Sequence, residues 1–326
     1  MRIIFKKNIL ILIISGLLLC GCAEKKEDKI YRVGILPAND FFYPTIDAFK
    51  KKMTELGYIE GKNIIYDVQR THFKSKVEKA VLDKWIAEKI DLMVVTPTEV
   101  AISAKKATKD TGIPVLFANV YIEGFDLVND VTHPGGNLTG VRYFHPDIAV
   151  KGLETLLEIA PEAKRIWLPY MDGYPSVPSQ LEKVQKAAAA FGVKIIEFPA
   201  KNIEDIESEL DRKSENDDPG MDAVMHVTDP VGTWSRVNEA IGKFVIKHRL
   251  PYYGMQEKCV VTLTINQSEV GRLAAPMADK ILRGISPGSI PVVSVDPLLT
   301  VNYKMAQELG IKIPESMLAR AEKIIR

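Results

Sequence analysis

What most restricts this chain is a recurring alternation of short, continuous apolar runs with segments whose apolar residues return every three or four positions. Runs such as Asp91 to Val95 and Ile113 to Ala118 lack the polar alternation of a half-exposed strand. A strand of that kind is buried on both faces, which a parallel sheet with helices over both sides achieves. Tyr31 to Leu36 opens the series and Pro37-Ala38-Asn39-Asp40 closes it. Ile46, Phe49, Met53 and Leu56 then share one helix face, with Gly57 where a helix stop is expected. Asn63 to Val68 predicts a second strand, and Val77 to Glu88 a helix with Val77, Val81, Leu82, Trp85 and Ile86 on its buried side. A helix over Ala101 to Lys109 leads to the strand at Ile113.

The alternation pauses at His133-Pro134-Gly135-Gly136-Asn137-Leu138-Thr139-Gly140-Val141, where Pro134 and the paired glycines require a change of direction. This stretch reads as the first crossover between two lobes, with Asn137 to Tyr143 resuming as strand. The pattern then repeats. Strands are expected at Arg165 to Leu168, Val193 to Phe198 and Met221 to Val227. One helix carries Leu181, Val184, Ala188 and Phe191 and stops at Gly192, a second is capped by Asn202 and runs through Leu210, and a third carries Val237, Ile241, Phe244 and Val245. Val260 to Ile265, a helix from Ser268 to Arg283, and strands Val292 to Asp296 and Leu298 to Val301 supply the second and third crossovers. The expected fold is therefore α/β, two doubly wound parallel-sheet lobes joined by a three-segment hinge. Residues 30–142 and 266–293 make lobe 1, and 143–265 and 294–326 make lobe 2.

At the amino terminus Arg2, Lys6 and Lys7 precede an apolar run from Ile9 to Leu19, the flanks and length of an export signal rather than of a bilayer span. Leu19-Cys20-Gly21-Cys22 resembles the bacterial lipoprotein processing box, which assigns 1–21 to the signal peptide, Cys22 to acylation and 22–29 to a tether. Loss of Arg2, Lys6 and Lys7 takes the formal charge from +1 to −2, a balance that points neither to nucleic acid nor to a charged membrane surface. With Cys20 removed and Cys22 acylated, Cys259 is the remaining thiol and the fold rests on its core, not on disulfides.

In open α/β sheets ligands bind beyond the carboxyl ends of the strands. The residues expected there are Asn39, Asp40 and Phe41 after the first strand, Thr96 and Thr98 after the third, and Asn119 and Tyr121 after the fourth. Tyr143, Tyr170, Asp172, Tyr174, Thr228, Asp229 and Gln256 follow in the second half. Thr96-Pro97-Thr98-Glu99 has the order of a capping box, with Thr96 as cap and Pro97 in the first helical position. Such a helix start favours an anion, or is a cap with no ligand; the sequence leaves both open. Asp229 is the candidate partner of an ammonium, or a turn Asp before Pro230. Phe41, Phe42 and the tyrosines offer flat apolar surface.

The chain resembles a bacterial family of ABC-transporter substrate-binding lipoproteins whose members include tryptophan- and phenylalanine-binding proteins. The resemblance is carried by Glu55-Leu56-Gly57-Tyr58-Ile59-Glu60-Gly61-Lys62-Asn63, Thr96-Pro97-Thr98 and Pro134-Gly135-Gly136-Asn137-Leu138-Thr139-Gly140-Val141. It continues through Gly271, Met277-Ala278-Asp279-Lys280-Ile281-Leu282-Arg283-Gly284, Asn302 and Leu309-Gly310-Ile311-Lys312-Ile313-Pro314. It implies a type I periplasmic-binding-protein architecture that delivers a small solute to a membrane permease. The chain departs from the family where ligand choice is set. Asn119-Val120-Tyr121-Ile122 replaces the usual Asp-Pro pair, and Asn266-Gln267-Ser268 replaces paired tyrosines, which adds Gln267 to the candidate site and suggests a more polar ligand.

Other chemistry finds little support. His72, His133, His145, His226 and His248 lack metal-ligand spacing, so no metal is expected. The glycines at 135, 136 and 140 lack the ending of a phosphate loop, and Cys259 reads as a buried thiol. Without a nucleophile elbow or a catalytic carboxylate pair the expectation is binding, not catalysis, with no cofactor. The expected protein is a monomeric, lipid-anchored solute-binding component of an ABC importer in the bacterial cell envelope, closing around an amino-acid-like solute. A sensor subunit presenting ligand to a membrane receptor and an exported small-molecule enzyme are the alternatives. Neighbouring permease genes would separate the first from transport, and ligand turnover would reveal the second.

Overall fold

The computed structural model describes residues 29–72, 74–143 and 147–326. The export signal, Cys20, Cys22, most of the tether and His145 lie outside them. Within Tyr31–Arg326, the first sheet is built from β1 (Tyr31–Pro37), α1 (Tyr43–Glu55), β2 (Ile64–Val68), α2 (Ser75–Ala87), β3 (Leu92–Thr96), α3 (Thr98–Thr108), β4 (Val115–Val120) and β5 (Leu138–Arg142). The second is built from α4 (Ile148–Ile159), β6 (Arg165–Met171), α5 (Val177–Ala190), β7 (Lys194–Ala200), α6 (Ile203–Ser214), β8 (Ala223–Met225), α7 (Ser235–His248), β9 (Tyr252–Gly254) and β10 (Val261–Thr264). Then follow α8 (Gln267–Leu282), β11 (Val293–Ser294), β12 (Leu298–Asn302), α9 (Tyr303–Leu309), α10 (Glu315–Arg320) and β13 (Lys323–Ile325).

Six strands form the first sheet in the order β11-β5-β4-β3-β1-β2, all parallel. Its strands are apolar at consecutive positions because both faces are covered. Ile35, Val94 and Leu116 join Phe49 of α1 on one side, while Leu36, Val95 and Phe117 join Trp85 of α2 on the other. Trp85 lies so close that a β-carbon on Gly34 would stand 2.7 Å from its ring. Helix α2 packs Val81, Leu82, Trp85 and Ile86 against the core as expected but differs at its first turn. Val77 is exposed and Glu78 buried, because 78, 82 and 85 follow the helical repeat that carries Leu82 and Trp85 onto the sheet.

Seven strands form the second sheet, β13-β12-β10-β9-β8-β6-β7, parallel except where β12 runs antiparallel to β10. Helix α4 was not among the expected elements, although Ile148, Leu153, Leu156 and Ile159 give it a buried stripe. The His133–Val141 stretch is not itself the first crossover. Gly135 and Gly136 do turn the chain with φ of 67° and 60°, but the turn feeds β5 back into the first sheet beside β4. Asn137 secures that return, donating from Nδ2 to Thr108 Oγ1 at 2.9 Å and to Ile113 O at 2.6 Å. The chain leaves the first sheet after Arg142, returns between β10 and α8, and leaves again between β11 and β12. These are the three hinge segments of a type I periplasmic-binding-protein architecture.

Candidate ligand-binding site

The carboxyl edge of the first sheet is assembled by helix starts. Asn39 caps a short turn, accepting the Phe41 N–H at 3.1 Å, while Asp40 pairs with Arg70 and Phe41 stands 59% exposed. The expected capping box at Thr96 does not form. Thr96 is the last residue of β3, Pro97 follows through a cis peptide bond and occupies the cap position, and proline has no side-chain acceptor. Helix α3 therefore begins without a side-chain cap, and its first internal bond is from Ala101 N–H to Pro97 O at 3.0 Å. The amides ahead of Ala101 emerge at the helix end, where the partial positive charge of the helix is greatest. Thr98 Oγ1 accepts the Tyr121 N–H at 2.9 Å, and the Thr96 hydroxyl is buried with no protein partner.

Next to it, Asn119 adopts a left-handed φ of 56° at an irregularity in the pairing of β4 with β5. The twist turns its amide toward α1 and α8. Asn119 Nδ2 donates to Thr45 Oγ1 and to Gln267 Oε1, both at 2.8 Å, and Thr45 Oγ1 donates to Gln267 Oε1 at 2.7 Å. Asn119 Oδ1 has no partner. Thr45 escaped the sequence reading because a threonine beside Ile46 looks like part of the helix wall. The signal lay in α8, where a β-carbon on Gly271 would come within 2.1 Å of Thr45 O. Only glycine there lets α8 approach α1 closely enough to join Gln267 to Thr45.

The second sheet contributes a different edge. Asp229 is 3% exposed, and its Oδ2 accepts the Met171 N–H at 2.5 Å while Oδ1 accepts the Gly232 N–H at 3.3 Å. Burial outweighs these donors and pushes its carboxyl from 3.8 up to about 7. The turn role weighed for Asp229 is thus present in the structure. Thr228 is held through its backbone, its N–H donating to Gln180 Oε1 at 2.8 Å and its carbonyl accepting Gln180 Nε2 at 2.9 Å. Gln256 donates to Thr233 O at 3.0 Å. Tyr170 and Asp172 flank Met171, but their side chains turn to a groove that Tyr174 shares. The Tyr170 hydroxyl donates to Glu197 at 3.2 Å, and both residues line a groove with Val177, Leu181 and Gln185.

The two edges meet. Tyr121, bonded through its N–H to Thr98, brings its hydroxyl to the Thr228 side chain, next to Asp229 in the sequence. Its ring packs edge-on against Tyr143 at 5.0 Å, and Phe125 meets Tyr174 of the opposite lobe at 5.8 Å. A β-carbon on Gly124 would lie 2.3 Å from Pro175 O, so the loop after β4 touches the loop after β6. Burial raises the phenols of Tyr121 and Tyr143, the latter to about 12, so both stay neutral. Arg142, at the end of β5, donates from Nε to Ser294 Oγ at 2.6 Å and from an η nitrogen to Glu123 Oε1 at 2.7 Å, tying two hinge segments to that contact loop. Elsewhere burial lowers His226 to about 4 and raises Cys259 to about 12, which leaves a neutral imidazole and a protonated thiol. Among the described residues no group of three or more His, Cys, Asp or Glu comes together as a metal site. The arrangement offers hydroxyls, amides, an open helix start and one buried carboxyl, which are groups for holding a small polar molecule.

A family model described as ABC transporter substrate binding protein matches residues 37–325. A tyrosine-binding protein from Clostridioides difficile is 27% identical over 316 residues, covering 89% of this chain and 88% of its own. Among solved structures, a conserved domain protein from Vibrio cholerae is 25% identical with a TM-score of 0.75, covering 91% of this chain and all of that one (100%). A Streptococcus pneumoniae ABC domain in complex with L-Trp is 24% identical with a TM-score of 0.76, again covering 91% of this chain and 100% of its own.

Proposed function

The chain belongs to the family of ABC transporter substrate-binding proteins, and from that premise we propose that it captures a small amino-acid-like solute, aromatic by the family's pattern, between its lobes and hands it to a membrane permease for import. The observation that carries this is Tyr121. Its N–H binds Thr98 at the uncapped start of α3, and its hydroxyl reaches Thr228, the residue before the buried Asp229, so one tyrosine bridges from an anion-favouring helix end to the edge that carries a buried carboxyl. A zwitterion fits that polarity. Its carboxylate would meet the amides and hydroxyls around Thr96 and Thr98, and its ammonium would meet Asp229. Tyr121, Tyr143 and Tyr174 supply the apolar walls, and the similarity to a tyrosine-binding protein supports an aromatic side chain. Gln267, Asn119 and Thr45 add amides and a hydroxyl that favour a ligand with a polar substituent.

Acylation at Cys22 would anchor the protein to a membrane outside the cytoplasm. A thermal-shift screen over amino acids, purines and short peptides tests the ligand class. A ligand at about a hundred times its dissociation constant adds roughly 2.7 kcal/mol of stability. A shift from another class, with none from any amino acid, refutes the assignment. Cys22→Ser should move the protein from the membrane to the soluble fraction; unchanged membrane retention would refute the anchor.

A further inference from the structure

Beneath Asp229 runs a chain of buried polar groups that leads away from the site. Asp229 Oδ1 accepts the Gly232 N–H within the short turn Val231–Thr233. The carbonyls of Gly232 and Trp234 both accept from Asn238 Nδ2, each at 2.9 Å. Asn238 Oδ1 accepts the Tyr252 hydroxyl at 2.9 Å, and that hydroxyl lies 3.0 Å from His226 Nε2. Asn238 and Tyr252 are fully buried and His226 is 1% exposed.

The direction of every proton follows from the far end. Two backbone carbonyls accept only, so the amide nitrogen of Asn238 must face them and its oxygen must face Tyr252. Tyr252 then spends its one proton on Asn238, so His226 Nε2 and the Cys259 thiol, which also meets that hydroxyl, must donate to it. Burial keeps the imidazole neutral, which leaves Nδ1 without a proton. The packing leaves little slack. A β-carbon on Gly232 would lie 3.0 Å from Met255 Sδ, and one on Gly254 would lie 3.3 Å from the His226 ring.

Hydrogen-bonded polar groups this deep in a lobe are costly to leave incomplete and fix one geometry when complete. We infer that Asn238 and Tyr252 are positioning residues that, through the Val231–Thr233 turn, fix the placement of the Asp229 carboxyl at the edge of the second sheet. The consequence for binding rests on the proposed role of Asp229 as an ammonium partner.

The test uses the full-length chain and Tyr252→Phe, which keeps the ring and removes the hydroxyl. Three readouts are compared: the backbone amide shifts of Gly232 and Met171 without ligand, the imidazole nitrogen shifts of His226, and the affinity for L-tyrosine. Tyr252→Phe should move both amides, release the Nε2–H form of His226 and weaken L-tyrosine about tenfold. His226→Gln, which can still donate to Tyr252, should keep the Gly232 shift. Val184→Ala, a cavity in α5 away from the network, should lower the melting temperature at least as far while leaving the amides and the affinity unchanged. Unmoved Gly232 and Met171 amides in Tyr252→Phe, or an equal loss of affinity in Val184→Ala, would overturn the inference. Asn238→Ser tests the same link from the turn side if Tyr252→Phe does not fold. If L-tyrosine binds no form of the protein, the ligand assignment is what fails, and the two amide shifts still decide the positioning role.

Discussion

Counted from each lobe's own start, the strand order is the same in both, β2-β1-β3-β4-β5 in the first and β7-β6-β8-β9-β10 in the second. Each lobe also receives a helix from the other lobe's chain, α4 after β5 and α8 after β10, and each of these helices carries glycine as its fifth residue. The resemblance stops at the edges that meet. The first lobe presents Thr45, Thr96, Thr98, Asn119 and Gln267, groups that do not titrate, around an open helix start. The second presents a buried carboxyl whose two oxygens are both taken by backbone N–H groups. A shared topology therefore sets where the edges lie, while the residues after the matched strands β3 and β8 decide the character of each. Opposite polarity on matched scaffolds is what a zwitterion requires.

The largest expected effect belongs to the second lobe alone. Because the Asp229 carboxyl is pushed from 3.8 to about 7, the folded chain keeps a proton that the unfolded chain has already lost between those values. Stability that is full below about pH 4 should thus fall as pH rises toward 7, by on the order of 4 kcal/mol. Urea midpoints from pH 4 to 8 measure it. Asp229→Asn should flatten that stretch: about 1–3 kcal/mol less stable than wild type at pH 4, because one backbone N–H then faces an amide nitrogen, it should match or exceed wild type by pH 8. An unchanged slope in the mutant would move the origin elsewhere, Glu78 being another carboxyl that burial raises.

The glycine pair sharpens the contrast at the next size down. Gly271→Ala would drive its methyl into the α1 backbone, 2.1 Å from Thr45 O, whereas Gly152→Ala meets a buried side chain and not backbone, 2.5 Å from Tyr253 Cζ. Losses of about 3 and about 1 kcal/mol are expected by denaturant unfolding. Equal losses would mean that the two helices are seated alike. Smaller still is the hydroxyl comparison. Thr45→Val removes the hydroxyl that bridges Gln267 and Asn119, leaving only their bond to each other, and should cost about 1–2 kcal/mol, while Thr262→Val removes a buried hydroxyl with no partner and should leave stability within about 0.5 kcal/mol or raise it. A Thr45→Val protein as stable as wild type would empty the first lobe's polar cluster of structural weight.

Much of the scaffold could be read before the structure because its signals are local. Val94, Val95, Leu116 and Phe117 announce a doubly covered sheet, Gly57 and Gly192 end helices with φ of 94° and 66°, and Asn202 caps α6 by accepting the Asp205 N–H at 2.9 Å. What failed depended on partners distant in sequence. Whether Thr96 or Pro97 occupies the cap is decided by where β3 stops pairing with β1. The glycines before β5 turn as expected, but their destination is set by pairing with β4. Thr45 becomes a site neighbour only because residue 271 lets a helix 222 positions away in sequence, counted from Thr45 to Gln267, come into contact. Asp229 was visible as a residue after an apolar run, but its occupation by Met171 and Gly232 was not.

The bond from Arg142 to Ser294 bears on how the two halves can swing. Register already sets these residues side by side at the ends of β5 and β11, and the guanidinium fastens them while its other arm holds Glu123. Three separate straps would let one half roll, yaw and nod against the other like a ball in a socket. With two of the straps laced together and only the passage from β10 to α8 left independent, any swing of the halves would be restricted toward one axis. If the proposed closure occurs, such a joint would work as a door does, returning Gly124 and Phe125 to Pro175 and Tyr174 along one arc.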